Sequence, residues 1–540
     1  MIGLVLAAFA DPPAAFAPTD VRVALLPGAE RAVLASRQGV FRVGVKTGGI
    51  ERIGDGGHPW GVQHLADGVR VGIDTRVLTF DASGGLRDTE VLEHDSCLAL
   101  GGAGPIVAAC TDWSAGTTVF PGWGVTYPGY ARAVAFHPDG TLAVLRADDG
   151  VLVGIGAEGV RWTAKTDDYA ELAVFDDRIV IEAGNDLEVR TLDGALVRTV
   201  RYDGQHGLAD LGDRVLAGGL VVHTGTGEVR PIDVPVSFST RDGRDGIAVS
   251  AGDLDGRFQL CWTDGTEVAC PVQGAAPLQR VEAVGDALVT FDRAGRARRW
   301  EGGRQTGFVD TGSDGGVVGF GVLPDATGVL RSGEHALERW PFGATAPDLS
   351  LPGTSWRSDI GVLRDRFITA GDRIEVRGFD LRIRSTSSER DCRRVLGPWV
   401  EVDGRWQHAI TGEKRGAIES PMVDGDHIAD PASWNPEAYE GAMSGDHVAV
   451  VDPDAQEVQV FRGKKRAWTF SLECPGCGLP VGSRATLVGI RPDGTVLLTA
   501  DGAVIAVQDG KVVEVLYGLA GDRWARWAEG AVTGDRSGLW

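Results

Sequence analysis

The side chains best suited to binding a partner lie in one arginine-rich stretch of the chain. Its arginines are Arg382, Arg384, Arg390, Arg393 and Arg394, and Trp434 follows in a segment punctuated by Pro and Asn. A guanidinium group matches the planar shape of a carboxylate or sulfate. We therefore expect an acidic or sulfated partner to bind at Arg382, Arg384, Arg393, Arg394 and Trp434. The alternative is that Arg382 and Arg384, two residues apart, share the exposed face of an edge strand and balance nearby carboxylates.

Two pairs of cysteines are spaced as if each pair lay across a hairpin. Cys97 and Cys110 flank LALGGAGPIVAA, and Cys261 and Cys270 flank WTDGTEVA. Both segments read as two strands joined by a tight turn. Either pair would be close enough for a disulfide if the strand register permits it.

A further pair, Cys474 and Cys477, occupies the turn sequence CPGC. Three alternatives stay open there, namely a disulfide within the loop, free thiols, and metal or redox chemistry. A zinc site would need a second such pair, which Cys392 alone does not supply. We therefore predict no metal site.

The linear signatures of catalysis are absent from the sequence. It has no GxSxG elbow, no GxxxxGK[ST] phosphate loop and no HExxH motif, and its ten histidines are scattered. Paired aspartates such as Asp253 and Asp255 suit turns better than calcium, because no spaced ligands with a terminal glutamate follow them. We predict no catalytic residue and no cofactor.

The charge of the chain narrows the choice of partner. Its 540 residues include 75 acidic and 53 basic side chains, which gives a net charge of −22. A surface this acidic repels phosphate backbones, so no nucleic-acid partner is expected. After residue 20 no run of about 18 apolar residues occurs, which predicts no membrane span. A protein is the expected partner, and the oligomeric state stays open.

Two interpretations are open for residues 1–20. An apolar run from Ile2 is followed by small-residue sites around Ala10 and Ala17, as in a secretory signal, although no Lys or Arg precedes the run. A signal over residues 1–17 would place the protein in the periplasm or outside the cell; without it the protein would be cytoplasmic. The alternative is that Ile2–Phe9 forms a strand that closes a ring of sheets.

A unit of about 38 residues recurs along the chain. It is clearest in Ala133–Val160 and Thr486–Val512, where apolar strands alternate with Pro-Asp-Gly and Asp-Gly turns. Short runs rich in Val and Ile, interrupted by turns, predict strands instead of helices. The units start near residues 21, 61, 97, 131, 170, 208, 246, 280, 317, 358, 398, 441, 484 and 522.

Sheets of this kind can cover both faces only by packing against neighbouring sheets. We predict an all-β fold of tandem β-propellers, in which about 14 four-stranded blades form two seven-bladed rings. The predicted domains are 21–279 and 280–540, the second with an irregular insertion at 382–443. The last repeat is too short for four strands and would borrow one from the N-terminus.

Two repeats resemble those of WD40-type propellers. These are AFHPDGTLAV at Ala135–Val144 and GIRPDGTVLLTA at Gly489–Ala500. No repeat has that family's Gly-His with a matching Trp-Asp, so its Asp-His-Ser/Thr-Trp network is not expected. Val160–Thr163 resembles quinoprotein-type propellers equally well. The resemblance implies a non-enzymatic scaffold that recognises a protein or another ligand through its loops.

A propeller enzyme is the alternative from another functional class. Propeller lyases, hydrolases and quinone-dependent dehydrogenases assemble their sites at a ring mouth from residues distant in sequence, so missing linear motifs do not exclude one. Charged side chains converging on a central channel, with shifted pKa values, would favour the enzyme. A channel lined by small apolar residues would favour the scaffold.

Overall fold

The structure, a computed structural model, describes residues 21–539 with gaps. The gaps are 95, 103–104, 148–149, 167–170, 184–185, 202–206, 233–239, 255–256, 277, 293, 313–318, 334, 353–358, 372, 388–391, 397–398, 403–404, 416–422, 425–426, 429–440, 445, 453–454, 473–484, 492, 501, 520–521 and 536–538. Four predicted features lie outside the described residues: the strand at Ile2–Phe9, Cys474, Cys477 and Trp434.

The first seven sheets have four strands each, and the strands of each sheet are consecutive in the chain. Sheet 1 contains β1 (Arg22–Leu25), β2 (Arg31–Ser36), β3 (Gly39–Gly44) and β4 (Ile50–Gly54). Sheet 2 contains β5 (Pro59–Leu65), β6 (Gly68–Ile73), β7 (Arg76–Asp81) and β8 (Leu86–Val91). Sheet 3 contains β9 (Cys97–Gly101), β10 (Val107–Asp112), β11 (Thr117–Phe120) and β12 (Val125–Tyr127). Sheet 4 contains β13 (Ala131–Phe136), β14 (Ala143–Ala147), β15 (Val151–Gly156) and β16 (Gly159–Lys165).

Sheets 5 to 7 repeat this order of strands. Sheet 5 contains β17 (Leu172–Val174), β18 (Ile179–Ala183), β19 (Asp186–Arg190) and β20 (Leu196–Arg201). Sheet 6 contains β21 (Leu208–Asp210), β22 (Arg214–Ala217), β23 (Leu220–His223) and β24 (Val229–Pro231). Sheet 7 contains β25 (Thr240–Arg244), β26 (Ile247–Leu254), β27 (Arg257–Thr263) and β28 (Val268–Gln273).

Sheets 8 to 11 also have four strands each. Sheet 8 contains β29 (Leu278–Val284), β30 (Ala287–Asp292), β31 (Arg296–Glu301) and β32 (Arg304–Asp310). Sheet 9 contains β33 (Gly319–Val322), β34 (Gly328–Ser332), β35 (Ala336–Pro341) and β36 (Leu349–Pro352). Sheet 10 contains β37 (Asp359–Val362), β38 (Phe367–Ala370), β39 (Ile374–Arg377) and β40 (Ile383–Thr386). Sheet 11 contains β41 (Cys392–Leu396), β42 (Trp399–Val402), β43 (Arg405–His408) and β44 (Lys414–Arg415).

The last two sheets have six strands each. Sheet 12 contains β45 (Val423–Asp424), β46 (His427–Ile428), β47 (Gly441–Ser444), β48 (His447–Asp452), β49 (Glu457–Arg462) and β50 (Lys465–Ser471). Sheet 13 contains β51 (Thr486–Ile490), β52 (Val496–Ala500), β53 (Ala503–Gln508), β54 (Lys511–Gly518), β55 (Trp524–Ala528) and β56 (Ala531–Gly534). The all-β prediction is confirmed, and the one helical turn in the described residues is the 3-10 turn Pro121–Trp123. The described part of the chain holds no helix that could cross a membrane.

Aspartate side chains fix many of the turns between strands. Asp139 Oδ1 accepts hydrogen bonds from the backbone nitrogen and the hydroxyl of Thr141, both at 2.8 Å, in the Pro-Asp-Gly turn between β13 and β14. The same bonds join Asp264 to Thr266 at 2.8 and 2.6 Å. Gly140, which lies between Asp139 and Thr141, has a φ of 70°, which glycine adopts without strain. These turns account for much of the acidic charge of the chain.

Apolar clusters join each sheet to at least one neighbouring sheet, although among the described residues none joins sheet 11 to sheet 12. One cluster lies between sheets 1 and 7, and includes Leu25 and Trp262. Another lies between sheets 8 and 13, and includes Trp300 and Leu516. Sheets therefore cover one another's faces, as the repeat predicted. First strands also meet: β1 contacts β5 and β25, and β51 contacts β47 and β29.

The described residues form thirteen sheets, against the prediction of about fourteen. Eleven of the predicted repeat starts coincide with the first strand of a sheet, or of its main four strands in sheet 12. The starts predicted near residues 246 and 398 fall instead at β26 and β42, the second strands of sheets 7 and 11. The fourteenth, near residue 522, is β55, which pairs with β54 as the fifth strand of sheet 13. The hairpin β55–β56 thus extends an existing sheet, and sheet 13 takes all its described strands from Thr486–Gly534.

The insertion predicted at 382–443 is more regular than expected. Ile383–Thr386 forms the outer strand of sheet 10, and the whole of sheet 11 lies within Cys392–Arg415. The strands of sheet 11 are only two to five residues long, and polar residues interrupt their apolar alternation. A sequence pattern of period two is hard to detect in runs that short.

Candidate functional site

A cavity of about 620 Å³ lies among the first strands of sheets 1 to 7. Its wall takes residues from β1, β5, β9, β13, β17, β21 and β25, the first strand of every one of these sheets. Small side chains let the strands approach one another closely. At Gly243 a Cβ atom would come within 2.1 Å of the Asp210 carbonyl oxygen, so only glycine fits there.

Charged and polar side chains line this cavity at the carboxyl ends of the first strands. We call them the polar rim: His64, His137, Asp176, Asp210 and Arg244. They belong to sheets 2, 4, 5, 6 and 7. A ring of strands running in the same sense brings their ends together, although the residues are up to 180 positions apart in the chain.

An acid–base pair joins sheets 2 and 7 at the rim. His64 Nε2 lies 2.8 Å from Asp242 Oδ2, and their side chains are 26% and 12% exposed. Asp242 Oδ2 also accepts a hydrogen bond of 2.5 Å from the backbone nitrogen of Leu25. A single carboxylate therefore links sheets 1, 2 and 7.

The pKa of His64 is raised above its ordinary value. Burial alone would lower this pKa, but the charge of Asp242 and its hydrogen bond outweigh burial. Asp245 adds to the rise, and Arg244 opposes it. The imidazole is thus held closer to its cationic form than a free histidine.

Two arginines of β25 bind the backbones of the neighbouring sheets. Arg244 donates to the carbonyl oxygens of Leu65 at 2.8 Å and of Gly68 at 3.3 Å. Arg241 donates to the carbonyl oxygens of Gly207 at 3.0 Å and Gly218 at 2.7 Å.

Asp245 extends this set of bonds to sheet 1. Its Oδ2 accepts from the backbone nitrogen of Gly28 at 3.0 Å. We call Arg241–Asp245 the closing segment, because its charged side chains fasten sheet 7 to sheet 6 on one side and to sheets 1 and 2 on the other.

The opposite part of the rim is also hydrogen-bonded. His137 Nε2 donates to the Asp176 carbonyl oxygen at 3.0 Å. Asp210 Oδ1 accepts from the Gly212 nitrogen at 3.0 Å and from Arg178 at 3.3 Å. Burial raises the pKa of Asp210, and the nearby charges of Asp176 and Asp177 raise it further. The hydrogen bond from the Gly212 nitrogen and the charge of Arg178 oppose this rise.

The chemistry open to this site is recognition or proton transfer. Within the described ranges no three His, Cys, Asp or Glu side chains are grouped so that they could hold a metal ion. His64 with Asp242 has the arrangement of a general base or acid and its orienting carboxylate. Yet Asp242 is also bonded to the backbone, as are the guanidinium groups of Arg241 and Arg244.

The arginines predicted to bind a partner lie elsewhere, in sheets 10 and 11. Arg382 and Arg384 are 83% and 57% exposed, and both lie beside Asp380, at 3.9 and 3.1 Å. This is the charge-balancing arrangement weighed as the alternative. Arg393 and Arg394 are on β41, and Trp434 is outside the described residues. Neither Arg382 nor Arg384 is among the residues that line the central cavity.

Two disulfides are present in the structure. Cys97 is bonded to Cys110 in sheet 3, where the two residues are cross-strand partners. Cys261 is bonded to Cys270 between β27 and β28 of sheet 7. Cys392 is buried and belongs to neither of these two disulfides.

Sequence reasoning missed the polar rim. The clearest signal was the run RDGRD, the closing segment, which stands where the neighbouring repeats have an apolar first strand. Charge at the innermost position of a sheet needs a partner, and that partner has to come from another repeat. No protein-family model matches the chain, and no curated protein is similar enough to match it.

Proposed function

We infer that the thirteen sheets form two propellers, a ring of seven sheets over Arg22–Gln273 and a ring of six over Leu278–Gly534. The contacts of β1 with β25 and of β51 with β29 support two separate closures. The boundary then falls at the predicted position near residue 280. The Pro-Asp-Gly repeats support a distant relation to WD40-type or quinoprotein-type propellers.

We propose that the protein is a non-enzymatic recognition scaffold, which binds a protein partner over the polar rim of the first ring. One observation carries this proposal: the charged side chains around the central cavity are bonded to the backbones of adjacent sheets. Groups committed to fastening the ring are poorly placed to change partners during a reaction. They do give a rigid platform, which lowers the entropy cost of binding.

The partner's chemistry follows from charge. With a net charge of −22, the chain attracts basic surfaces and repels nucleic acids. Asp176 and Asp177 are exposed beside the cavity. A partner with a basic patch is therefore expected, and no cofactor is required.

Binding to a purified partner tests this proposal. The full chain is used as bait in an extract of the source cells, the captured protein is purified, and its Kd is measured. Asp176→Lys with Asp177→Lys should raise the Kd at least tenfold, because like charges would then face each other. Glu228→Lys, an exposed change just before the outer strand of sheet 6, is the control and should alter the Kd less than threefold. Equal binding by both variants would refute a site at the rim.

A propeller enzyme is the second candidate, favoured by the His64–Asp242 pair and the raised pKa of His64. Screening the protein against lyase, hydrolase and quinone-dependent dehydrogenase substrates separates the two candidates. The scaffold predicts no turnover above that of heat-denatured protein. Turnover that Asp242→Asn abolishes in a folded protein would instead establish the enzyme.

We also propose that the protein is exported. Two disulfides are the supporting observation, because such bonds persist in oxidising compartments. Mass analysis of alkylated protein from the source cells provides the test. Export predicts loss of residues 1–17 and no alkylation of the four cysteines named in these bonds; an uncleaved chain with seven alkylated cysteines would place the protein in the cytoplasm.

A further inference from the structure

A second cavity, of about 320 Å³, lies between sheets 4 and 5. His137 lines both this cavity and the central one, so the second cavity lies beside the polar rim. We call it the side groove. It is lined by His137, Asp139, Thr141, Leu142, Arg161, Trp162, Leu192 and Asp193.

The floor of the side groove is apolar and rigid. The Trp162 indole nitrogen donates to the Leu192 carbonyl oxygen at 2.9 Å. The indole ring lies against two glycines, since a Cβ atom would come within 2.2 Å of it at Gly154 and within 2.7 Å at Gly194. Leu142 is buried beside it. A fixed, half-exposed aromatic platform is typical of the centre of a binding site.

Two carboxylates flank this floor. Burial alone would raise the pKa of Asp139, but hydrogen bonds from Thr141 and the contact with His137 Nδ1 outweigh it and lower the pKa. The pKa of Asp193 is lowered by its hydrogen bond from Thr191. Both side chains are exposed and ionised at neutral pH. Arg161 is the one arginine or lysine among the groove residues, so two carboxylates accompany a single guanidinium group there.

We propose that the side groove binds an extended segment of the partner protein, in which an aromatic or aliphatic side chain stands next to Lys or Arg. The apolar side chain would lie on Trp162, and the basic one would pair with Asp139 or Asp193. This inference rests on the proposed function, because it assigns part of the partner to a place beside the polar rim. Charge complementarity and the place of the groove beside the rim select a basic peptide over an acidic or neutral one.

A phage-displayed random heptapeptide library, selected on the full chain, supplies the probes. The enriched peptides should carry Lys or Arg next to Trp, Phe, Tyr, Leu or Ile. One of them, labelled with fluorescein, is then titrated by fluorescence anisotropy at low and high salt. Its Kd should rise with salt, because exposed ion pairs are screened.

Isosteric variants locate the peptide. Asp139→Asn with Asp193→Asn keeps the turn-forming oxygens and removes two charges, and should raise the Kd about threefold to thirtyfold. Trp162→Ala should raise it about thirtyfold, and Trp162→Phe, which keeps an aromatic floor, by less. Asp264→Asn is the matched control, since Asp264 forms the same Asp-x-Thr turn outside the groove, and should leave the Kd unchanged.

The outcomes separate this inference from the proposed function. Enriched peptides without the basic–apolar pattern, or equal binding by the groove variants and Asp264→Asn, would overturn the side groove as the site. A different result would be that the groove variants bind the purified partner as tightly as the wild type while the Asp176 and Asp177 changes weaken that binding. This result would support the scaffold proposal and refute only the side groove as a peptide site. Peptide binding that depends on the groove, with no partner bound at the rim, would instead remove the scaffold proposal.

Discussion

The two halves of the chain fasten their first sheet to their last by different means. In the first half, Arg241–Asp245 lie beside the central cavity, and their partners are mostly backbone atoms of sheets 1, 2 and 6. In the second half the fastening is fully buried. Asp292 accepts from Arg296 at 2.8 Å and from Arg298 at 3.1 Å, and Arg298 also donates to the Leu519 carbonyl oxygen of sheet 13 at 2.7 Å.

The charged groups of Arg241–Asp245 lie beside a cavity that a ligand could enter. Those around Asp292 are buried between sheets, out of reach of a ligand. All three side chains of the buried cluster are about 1% exposed. Charges removed from water so completely depend on one another for stability. The His64 and Asp242 side chains of the first half are 26% and 12% exposed, so their charges are less completely removed from water.

The largest effect is expected from Asp292→Asn. Two buried guanidinium groups would lose their carboxylate, which should lower the free energy of unfolding by about 3 to 5 kcal/mol. Urea unfolding, followed by hydrogen exchange of peptides from each half, measures the loss and shows whether it is confined to Leu278–Gly534. Replacing the whole cluster, with Asp292→Leu, Arg296→Met and Arg298→Met, should cost less than the single change. A loss below about 1 kcal/mol for Asp292→Asn would show that the cluster is not held by its charges.

Both disulfides of the described residues lie in the first half, so they are a second difference between the two halves. Cys97→Ala with Cys110→Ala should lower the free energy of unfolding of that half by about 3 kcal/mol, since the bridge restricts the unfolded chain. Urea unfolding without reductant gives the measurement. Cys392→Ala, at a buried cysteine of sheet 11 outside both described disulfides, controls for removal of a sulfur atom. Equal losses in the two variants would mean that packing, not cross-linking, is responsible.

A smaller loss, about 2 kcal/mol, is expected for Asp242→Asn. The amide retains an acceptor for the Leu25 nitrogen, but it loses the charge that attracts His64. Hydrogen exchange should rise first in β1, β5 and β25. If protection falls throughout the chain instead, the closing segment is not a local fastening.

The smallest effect is a dependence on pH. Because the folded pKa of His64 is raised, its protonated form stabilises the first half fully below the unfolded value of about 6.5, and this contribution is lost as pH rises through the folded pKa. The stability difference between the wild type and His64→Gln should therefore shrink as the pH rises above about 6.5. Asp242, Asp245 and Arg244 are the charged groups facing the imidazole. A difference that grows with pH would contradict the assignment.

Much of the fold could be predicted because its signals are local. Turns such as Pro138-Asp139-Gly140 define where a strand ends, and the apolar runs beside them define the repeat. The hairpin β55–β56 was misjudged because its alternating pattern is that of any strand pair. Whether it begins a new sheet or extends β54 is decided by packing between distant residues, which no local pattern contains.

The candidate site could not be predicted in the same way. His64 and Asp242 are 178 residues apart, and only closure of the first seven sheets brings them together. Arg382 and Arg384 were conspicuous in sequence because they are close neighbours, yet their common partner is the equally close Asp380. Short-range clusters of charge tend to be balanced locally, whereas the pairs that fasten a ring come from its two ends.

The position of the closing segment sets the order in which the protein can be completed during synthesis. Every strand of the first half lies before residue 274, and the charges that lock it are on the first strand of its last sheet. A nascent chain cut short before that strand has six sheets and an unprotected apolar edge on each side. Once β25 and the rest of sheet 7 have been synthesised, sheet 7 can bind sheets 1, 2 and 6 while the ribosome is still translating the second half.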